Sequence, residues 1–216
     1  MMMMMMMIAG ASKHAKDLLT VLEENEMDIC FFDDTERGSE RFFNYPVLRT
    51  LEKAKTYFLT KSRSFALATG SPGSRAALTA KLQAAGGTLT SIVSMKALIG
   101  THNTHLHEGV NIMPYVFLSN DVTIGKGSLV NVGAYVHHDC RVGAFCELAP
   151  RCNILGSVKI DDFTRVGTGA TLMPGISIGK HVTIGAGAVI KRDVPNYATV
   201  VGVPGRIIGY ATPQTD

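Results

Sequence analysis

CNILGS VKIDDF TRVGTG ATLMPG ISIGKH VTIGAG, residues 152–187, divides into hexads whose third residue is always aliphatic. Those residues are Ile154, Ile160, Val166, Leu172, Ile178 and Ile184, and the first residue of each hexad is small or β-branched. The same beat runs back without a slip through Leu148, Val142, Val136, Val130, Ile124 and Leu118 to Ile112, and forward to Ile190. Leu106 adds one more step upstream. A helix repeats near 3.6 residues and an ordinary strand at 2, so a period of six fits neither. It fits a prism in which each hexad lays one short strand on a flat face and then turns a corner. The aliphatic residue points inward, and the small residue packs beside it. Gly often follows the aliphatic position, at 125, 143, 167, 179 and 185. It is expected there for a tight corner with positive φ. A fixed period of this kind predicts a β-solenoid.

The rest of the composition sets limits. The chain has 216 residues and a formal net charge of +3, spread too evenly to suggest nucleic acid. No apolar run reaches 18 residues, so no membrane span is expected. The run Met1–Met7 has no basic segment before it and no small-residue cleavage site, and it reads as part of a first strand rather than a signal peptide. Cys140, Cys146 and Cys152 recur every six residues at the small inward position. That spacing is not a zinc pattern, and buried free thiols are expected. His102, His105 and His107 also cluster, but they read as solvent-facing, and no metal is expected. Free cysteines and no signal point to the cytoplasm.

Residues 1–100 lack the six-residue period. A strand is expected over 2–9, a helix over 13–24, strands over 28–32 and 65–68, and a helix over 74–85. Alternating β and α segments predict a small Rossmann-like α/β domain with a parallel sheet. Gly10-Ala11-Ser12-Lys13-His14, Asp33-Asp34 and Gly70-Ser71-Pro72-Gly73 all fall at the carboxyl ends of strands, where open α/β sheets bind ligands. The full dinucleotide fingerprint is absent.

The hexads resemble the left-handed parallel β-helix of hexapeptide-repeat acyltransferases. The two halves together resemble the sialic acid O-acetyltransferase and bacillosamine-type sugar N-acetyltransferase family. The likeness rests on Gly-Ala-Ser-x-His at 10–14, Phe-Phe-Asp-Asp at 31–34 and Ile112-Met113-Pro114-Tyr115. It continues through Asn131-x-Gly133-Ala134, His138-Asp139-Cys140 and Gly202-Val203-Pro204-Gly205. It implies a nucleotide-binding domain over 1–100, a left-handed β-helix over 101–195 and a tail over 196–216. By the same likeness, His138 is the catalytic base and Asp139 its supporting carboxylate. Ser12, His14, Asp33, Asp34, Gly70 and Asn131 match the contacts to a nucleotide-linked amino sugar. Glu147, Gly156, Thr168 and Ala186 fall on the acetyl-CoA channel. Lys13 stands where relatives carry glycine, and there it would either crowd the nucleotide or pair with a phosphate; Lys191-Arg192 would either meet the 3′-phosphate of CoA or cap the solenoid with charge. The family forms homotrimers with CoA between subunits.

The chemistry agrees with the residue types. Acetyl transfer from a thioester needs a base for the proton of the attacking nucleophile, and histidine serves near neutral pH. A carboxylate on the other ring nitrogen fixes the tautomer and stabilises the imidazolium. By register, His137 follows the inward Val136 at the corner position and His138 comes next, on the outward flat, which favours His138. Two rival readings stand beside transfer to an amine: transfer to a sugar hydroxyl, and a non-catalytic trimeric scaffold.

Overall fold

Alternation within the first strand fixes the N-terminal layers. The computed structural model describes residues 5–25, 27–35 and 39–212. In chain order the first half holds β1 (Met5–Ala9), α1 (Lys13–Glu24), β2 (Asp28–Phe32), β3 (Arg41–Phe42), β4 (Tyr45–Leu48), α2 (Leu51–Thr60), β5 (Ser64–Leu67), α3 (Pro72–Ala84) and β6 (Thr88–Leu89). Residues 2–4 of the expected first strand lie outside the described residues. The sheet order is β3-β4-β2-β1-β5-β6, parallel except for the β3–β4 hairpin. Met6 and Ile8 of β1 pack on one side with Leu18 and Leu22 of α1. Met7 and Ala9 pack on the other with Phe58 of α2 and Leu82 of α3. Successive strand residues point to opposite faces, so an all-apolar strand marks a sheet covered on both sides.

The β3–β4 hairpin and α2 were not expected. The helix is short and buries little beyond Ala54 and Phe58, which leaves a weak periodic signal. Its start was marked all the same. Thr50 caps it by accepting a hydrogen bond from the Lys53 amide at 3.3 Å, and Glu52 sits in its first turn.

The second half is a left-handed parallel β-helix with three faces. Thr123 pairs with Arg141, Arg141 with Lys159 and Lys159 with Ser177, so three hexads make one coil. The first face carries Asn111–Ile112, Leu129–Val130, Glu147–Leu148, Arg165–Val166 and Thr183–Ile184. The second carries Phe117–Leu118, Tyr135–Val136, Asn153–Ile154, Thr171–Leu172 and Val189–Ile190. The third carries Thr123–Ile124, Arg141–Val142, Lys159–Ile160 and Ser177–Ile178. The aliphatic residue of every hexad from Ile112 to Ile190 is buried.

The solenoid extends further in both directions than the sequence boundaries at 101 and 195. Upstream, Ile92–Val93 and Leu98–Ile99 already pair with the first and second faces. Their inward residues, Val93 and Ile99, keep the six-residue spacing, but one extra residue lies between Ile99 and Leu106 and breaks the register. Downstream, Ala198–Val201 adds to the first face, and Arg206–Tyr210 folds back on it antiparallel.

The corner geometry corrects the reading of the glycines. Positive φ falls on the last residue of the hexad, at Gly127, Gly133, Asp139, Phe145, Ser157, Phe163, Gly169 and onward, and not on the residue after the aliphatic one. Gly125 is glycine for a different reason. A Cβ there would stand 2.4 Å from the Gly143 carbonyl carbon of the next coil. Gly125→Ala is expected to lower stability by roughly 1–3 kcal/mol, because backbone must move. Gly169 has φ +67 with open space around its α-carbon, and Gly169→Asn should cost less than about 1 kcal/mol, since Asn tolerates this region. Denaturant unfolding of the two variants decides, and equal losses would contradict the close-approach account.

Candidate active site

His138 and Asp139 form the two-residue turn between the second and third faces. The expectation that His138 lies on a flat is therefore corrected: both residues sit at the corner. Asp139 adopts φ 62, a left-handed conformation that Asp accepts more readily than most residues. This bend swings its carboxylate back toward its neighbour, and Oδ2 lies 2.7 Å from His138 Nδ1. With Nδ1 donating to the carboxylate, Nε2 is left to accept a proton. Both side chains are more than half exposed. His137 is partly buried, with its ring edge toward Phe117 at 6.0 Å between centroids.

Gly156 occupies the same corner one coil later. A Cβ there would stand 2.6 Å from His138 Cε1 and 2.8 Å from Nε2, so the imidazole lies over bare backbone. The Ser157 amide donates to the His138 carbonyl at 2.9 Å and locks the two corners together.

The other residues expected at the donor channel lie elsewhere. Thr168 and Ala186 are exposed turn residues at the corner between the first and second faces. Asn131 precedes the same corner two coils before Thr168, and its Oδ1 accepts from the Val132 amide. Glu147 is on the first face, directed at the N-terminal domain. Its Oε2 accepts from Arg165 Nε at 2.8 Å, and its Oε1 would lie 3.2 Å from a Cβ on Gly70. Glu147 is thus apart from His138 within one chain, and Gly70 faces Glu147.

The N-terminal domain opens a cleft of about 350 Å³ at the carboxyl ends of β1, β2 and β5. It brings together Gly10, Ser12, Asp33, Asp34, Thr69 and Lys81. Gly10, at φ +105, passes within Cβ reach of the Ala68 carbonyl, which keeps the first turn tight. Asp33 follows β2 directly and accepts from the Ala11 amide at 3.2 Å and from the Thr35 amide and hydroxyl at 3.0 and 2.7 Å. Partial burial alone would raise its pKa. The Thr35 and Ala11 hydrogen bonds and the Arg49 charge outweigh that and hold the carboxyl below the usual range. Asp34 pairs with Lys81 at 2.7 Å. Lys13 is exposed and does not line the cleft.

His14 turns inward. Its Nε2 is buried with no hydrogen-bond partner among the described residues. Burial first, and the Arg75 guanidinium second, pull its pKa down to about 4, against the opposing charge of Asp17. The ring is therefore neutral at pH 7.

The cysteines of the ladder are buried and unpaired. Burial pushes the Cys146 and Cys152 thiols up to about 12, which makes them poor nucleophiles. Among the described residues, no group of three His, Cys, Asp or Glu side chains could hold a metal. No helix among them is long and apolar enough to cross a membrane. Lys191, Arg192 and Arg206 line a cleft of about 580 Å³ at the C-terminal end of the solenoid. Arg75 was missed by sequence reasoning. It is fully buried where the two halves meet, and a single Arg on a helix rich in Ala carries no sign of that.

Comparison with known proteins places this geometry. Residues 157–192 match the bacterial transferase hexapeptide (six repeats) model. The chain is 29% identical over 212 residues to GDP-perosamine N-acetyltransferase of Escherichia coli O157:H7, covering 92% of this chain and 94% of that one. A perosamine N-acetyltransferase from Caulobacter crescentus, solved with CoA and GDP-perosamine as a variant with one histidine replaced by asparagine, superposes with a TM-score of 0.89. It is 29% identical and covers 94% of this chain and 96% of its own. The acetyltransferase domain of PglB from Neisseria gonorrhoeae, in complex with acetyl coenzyme A, gives a TM-score of 0.86 at 27% identity, over 96% of this chain and 100% of that one.

His14 carries a pH prediction. Its folded pKa lies below the ordinary value of 6.5, so its contribution is intact above pH 6.5 and is lost as pH falls from there toward about 4. Between about pH 7 and about pH 5 the loss amounts to about 2 kcal/mol. In unfolding titrations at those two pH values, His14→Gln should remove most of this difference. An unchanged pH dependence in the variant would contradict the assignment.

Proposed function

We propose that this chain, a member of the bacterial hexapeptide-repeat transferases, moves the acetyl group of acetyl-CoA onto the amino group of a nucleotide-linked amino sugar. The observation that carries this reading is the His138–Asp139 corner: a base with a free Nε2, a carboxylate on Nδ1 and bare Gly156 backbone beneath the ring. Relatives alike over nearly the whole chain act on GDP-perosamine or bind acetyl coenzyme A.

Acetyl-CoA, when bound, supplies a thioester carbonyl activated toward nucleophiles. His138 Nε2 accepts the proton that the neutral amine loses as its nitrogen bonds the carbonyl carbon. The Asp139 carboxylate stabilises the imidazolium. As the C–S bond breaks, the same imidazolium returns the proton to the departing thiolate, so the base is regenerated. Gly156 leaves room for substrate to approach beside the ring. Asp33 and Asp34 in the N-terminal cleft suit the nucleotide hydroxyls, and the Ser12 hydroxyl and Lys81 suit its phosphates. Lys191 and Arg192 suit the 3′-phosphate of CoA.

The reading includes a homotrimer. The third face presents His105, Thr123, Arg141 and Lys159 outward, which is a solvated surface. The first coils of the second face present Leu98, Phe117 and Tyr135, with Leu98 66% and Tyr135 46% exposed, an apolar surface in want of cover, and its later coils present Asn153 and Thr171. This face is flanked by the two corners that carry the expected groups, His138 and Gly156 on one side and Asn131, Thr168 and Ala186 on the other. Packing of three copies through it would bring the base of one chain against the donor corner of the next. The unpaired cysteines suit a reducing compartment, and we assign the protein to the cytoplasm.

With GDP-perosamine as acceptor, His138→Ala should lower kcat/KM by roughly 10²–10⁴-fold, the usual contribution of a general base. Its dissociation constant for acetyl-CoA should stay at the wild-type value. Gly156→Ala should also impair turnover, because the methyl displaces the ring. Retention of more than about a tenth of wild-type kcat/KM by His138→Ala would overturn the assignment. A product acetylated on oxygen would overturn the choice of nucleophile.

A further inference from the structure

We infer that Arg75 is a positioning residue for acetyl transfer, the bolt that holds the wall of the acceptor cleft at a fixed place on the β-helix. The inference rests on the functional reading above and extends it to a residue outside both sites. Arg75 lies near the start of α3 and is 0% exposed. Its guanidinium donates from Nη1 to the Thr69 carbonyl at 2.8 Å, within the N-terminal domain. Its other donors cross to the solenoid: Nε to the Gly127 carbonyl at 2.5 Å, and Nη2 to Asn111 Oδ1 at 2.5 Å and the Gly109 carbonyl at 3.4 Å.

The fork of donors matters more than the charge. All four acceptors are neutral oxygens, and none is a carboxylate. The Glu147 carboxylate acts on it only through space and is hydrogen-bonded to Arg165 instead. A buried cation on neutral partners is an expensive way to stabilise a fold, since burying apolar side chains there would serve better. It is a good way to fix an orientation, because a planar group with donors in set directions tolerates little rotation.

The path from cleft to base is short and rigid. Thr69, Ser74, Leu78 and Lys81 line the acceptor cleft, and all belong to α3 or the turn that precedes it. Gly127 begins the coil that runs on to His138. Hence the guanidinium joins the wall that holds the nucleotide to the coil that carries the base. The orientation of the cleft on the solenoid passes through this joint whether the sugar reaches the base of its own chain or that of a neighbour. Misplacement of reacting atoms by about 1 Å can cost on the order of 100-fold in rate.

Arg75→Lys keeps the charge and loses the fork, and Arg75→Met loses both. For Arg75→Lys, kcat/KM for GDP-perosamine is expected to fall by roughly tenfold or more, mainly through kcat, while KM for acetyl-CoA holds, because the donor corner lies away from this joint. Amide hydrogen exchange should speed up over residues 69–82 and stay at wild-type rates over 129–190. Arg75→Met should show the same pattern more strongly. If it fails to fold, Arg75→Lys alone carries the test. A rise of both KM values together, or wild-type kinetics alongside faster exchange, would overturn the inference. So would wild-type exchange over 69–82 in Arg75→Lys. The exchange measurement needs no turnover, so it reads the joint even if the wild-type protein acetylates no amino sugar, a result that would instead overturn the functional reading.

Discussion

Successive coils of the helix stack through backbone hydrogen bonds, and strands bonded in this way lie about 4.8 Å apart. Everything else in the solenoid follows from that spacing. Once Thr123 pairs with Arg141, and Arg141 with Lys159, each residue has a fixed neighbour above and below it. The inward position must be aliphatic because it meets only other inward residues. The position after it is glycine wherever the next coil presses closest, as Gly125 does on Gly143. The corner that bends with positive φ recurs with the hexad, and at Asp139 that bend serves chemistry by turning a carboxylate onto the ring beside it. Gly156 lies against the imidazole for the same reason: it is the next residue in that column.

The three faces have three fates. The first is covered by the N-terminal domain through a shared apolar core that joins Leu18 and Leu22 of α1 to Ile92 and Val110. Glu24 adds a polar edge to this contact, accepting from Ser94 at 3.1 Å and pairing with Lys96 at 3.3 Å. The third face is polar. The second exposes the apolar Leu98 and Tyr135 in its first coils, and it lies between the two corners where the reacting groups are expected. A catalytic pair that is more than half exposed in one chain is an incomplete site, because general base catalysis gains from a water-poor surrounding. A neighbouring copy would supply that surrounding.

Much of this was legible in the sequence, and the limits have physical causes. The hexads could be read because one inward residue in six admits no polar substitute over many coils. The first hexads, at Val93 and Ile99, were hidden by one inserted residue before Leu106, since a period is visible only while its register holds. The first helix and second strand fell where expected, because β1 and β2 are apolar on both faces. The β3–β4 hairpin and α2 bury too few residues to leave a pattern. His138 and Asp139 were identified as a pair, but the corner was misplaced by assuming that glycine alone marks it. Resemblance alone assigns Glu147 to the donor channel, and packing turns it toward Gly70. Arg75 was invisible because its role depends on four oxygens distant in sequence.

In the proposed trimer the base of one chain would work on a donor held at another chain's corner. Co-expression of a His138→Ala subunit with an Ala186→Trp subunit, each expected to be inactive alone, reads this arrangement. If the sites form between copies, random mixing restores about a quarter of wild-type sites, since some interfaces pair an intact base with an intact corner. If each chain held a whole site, every mixed oligomer would stay inactive, and that result would contradict the account.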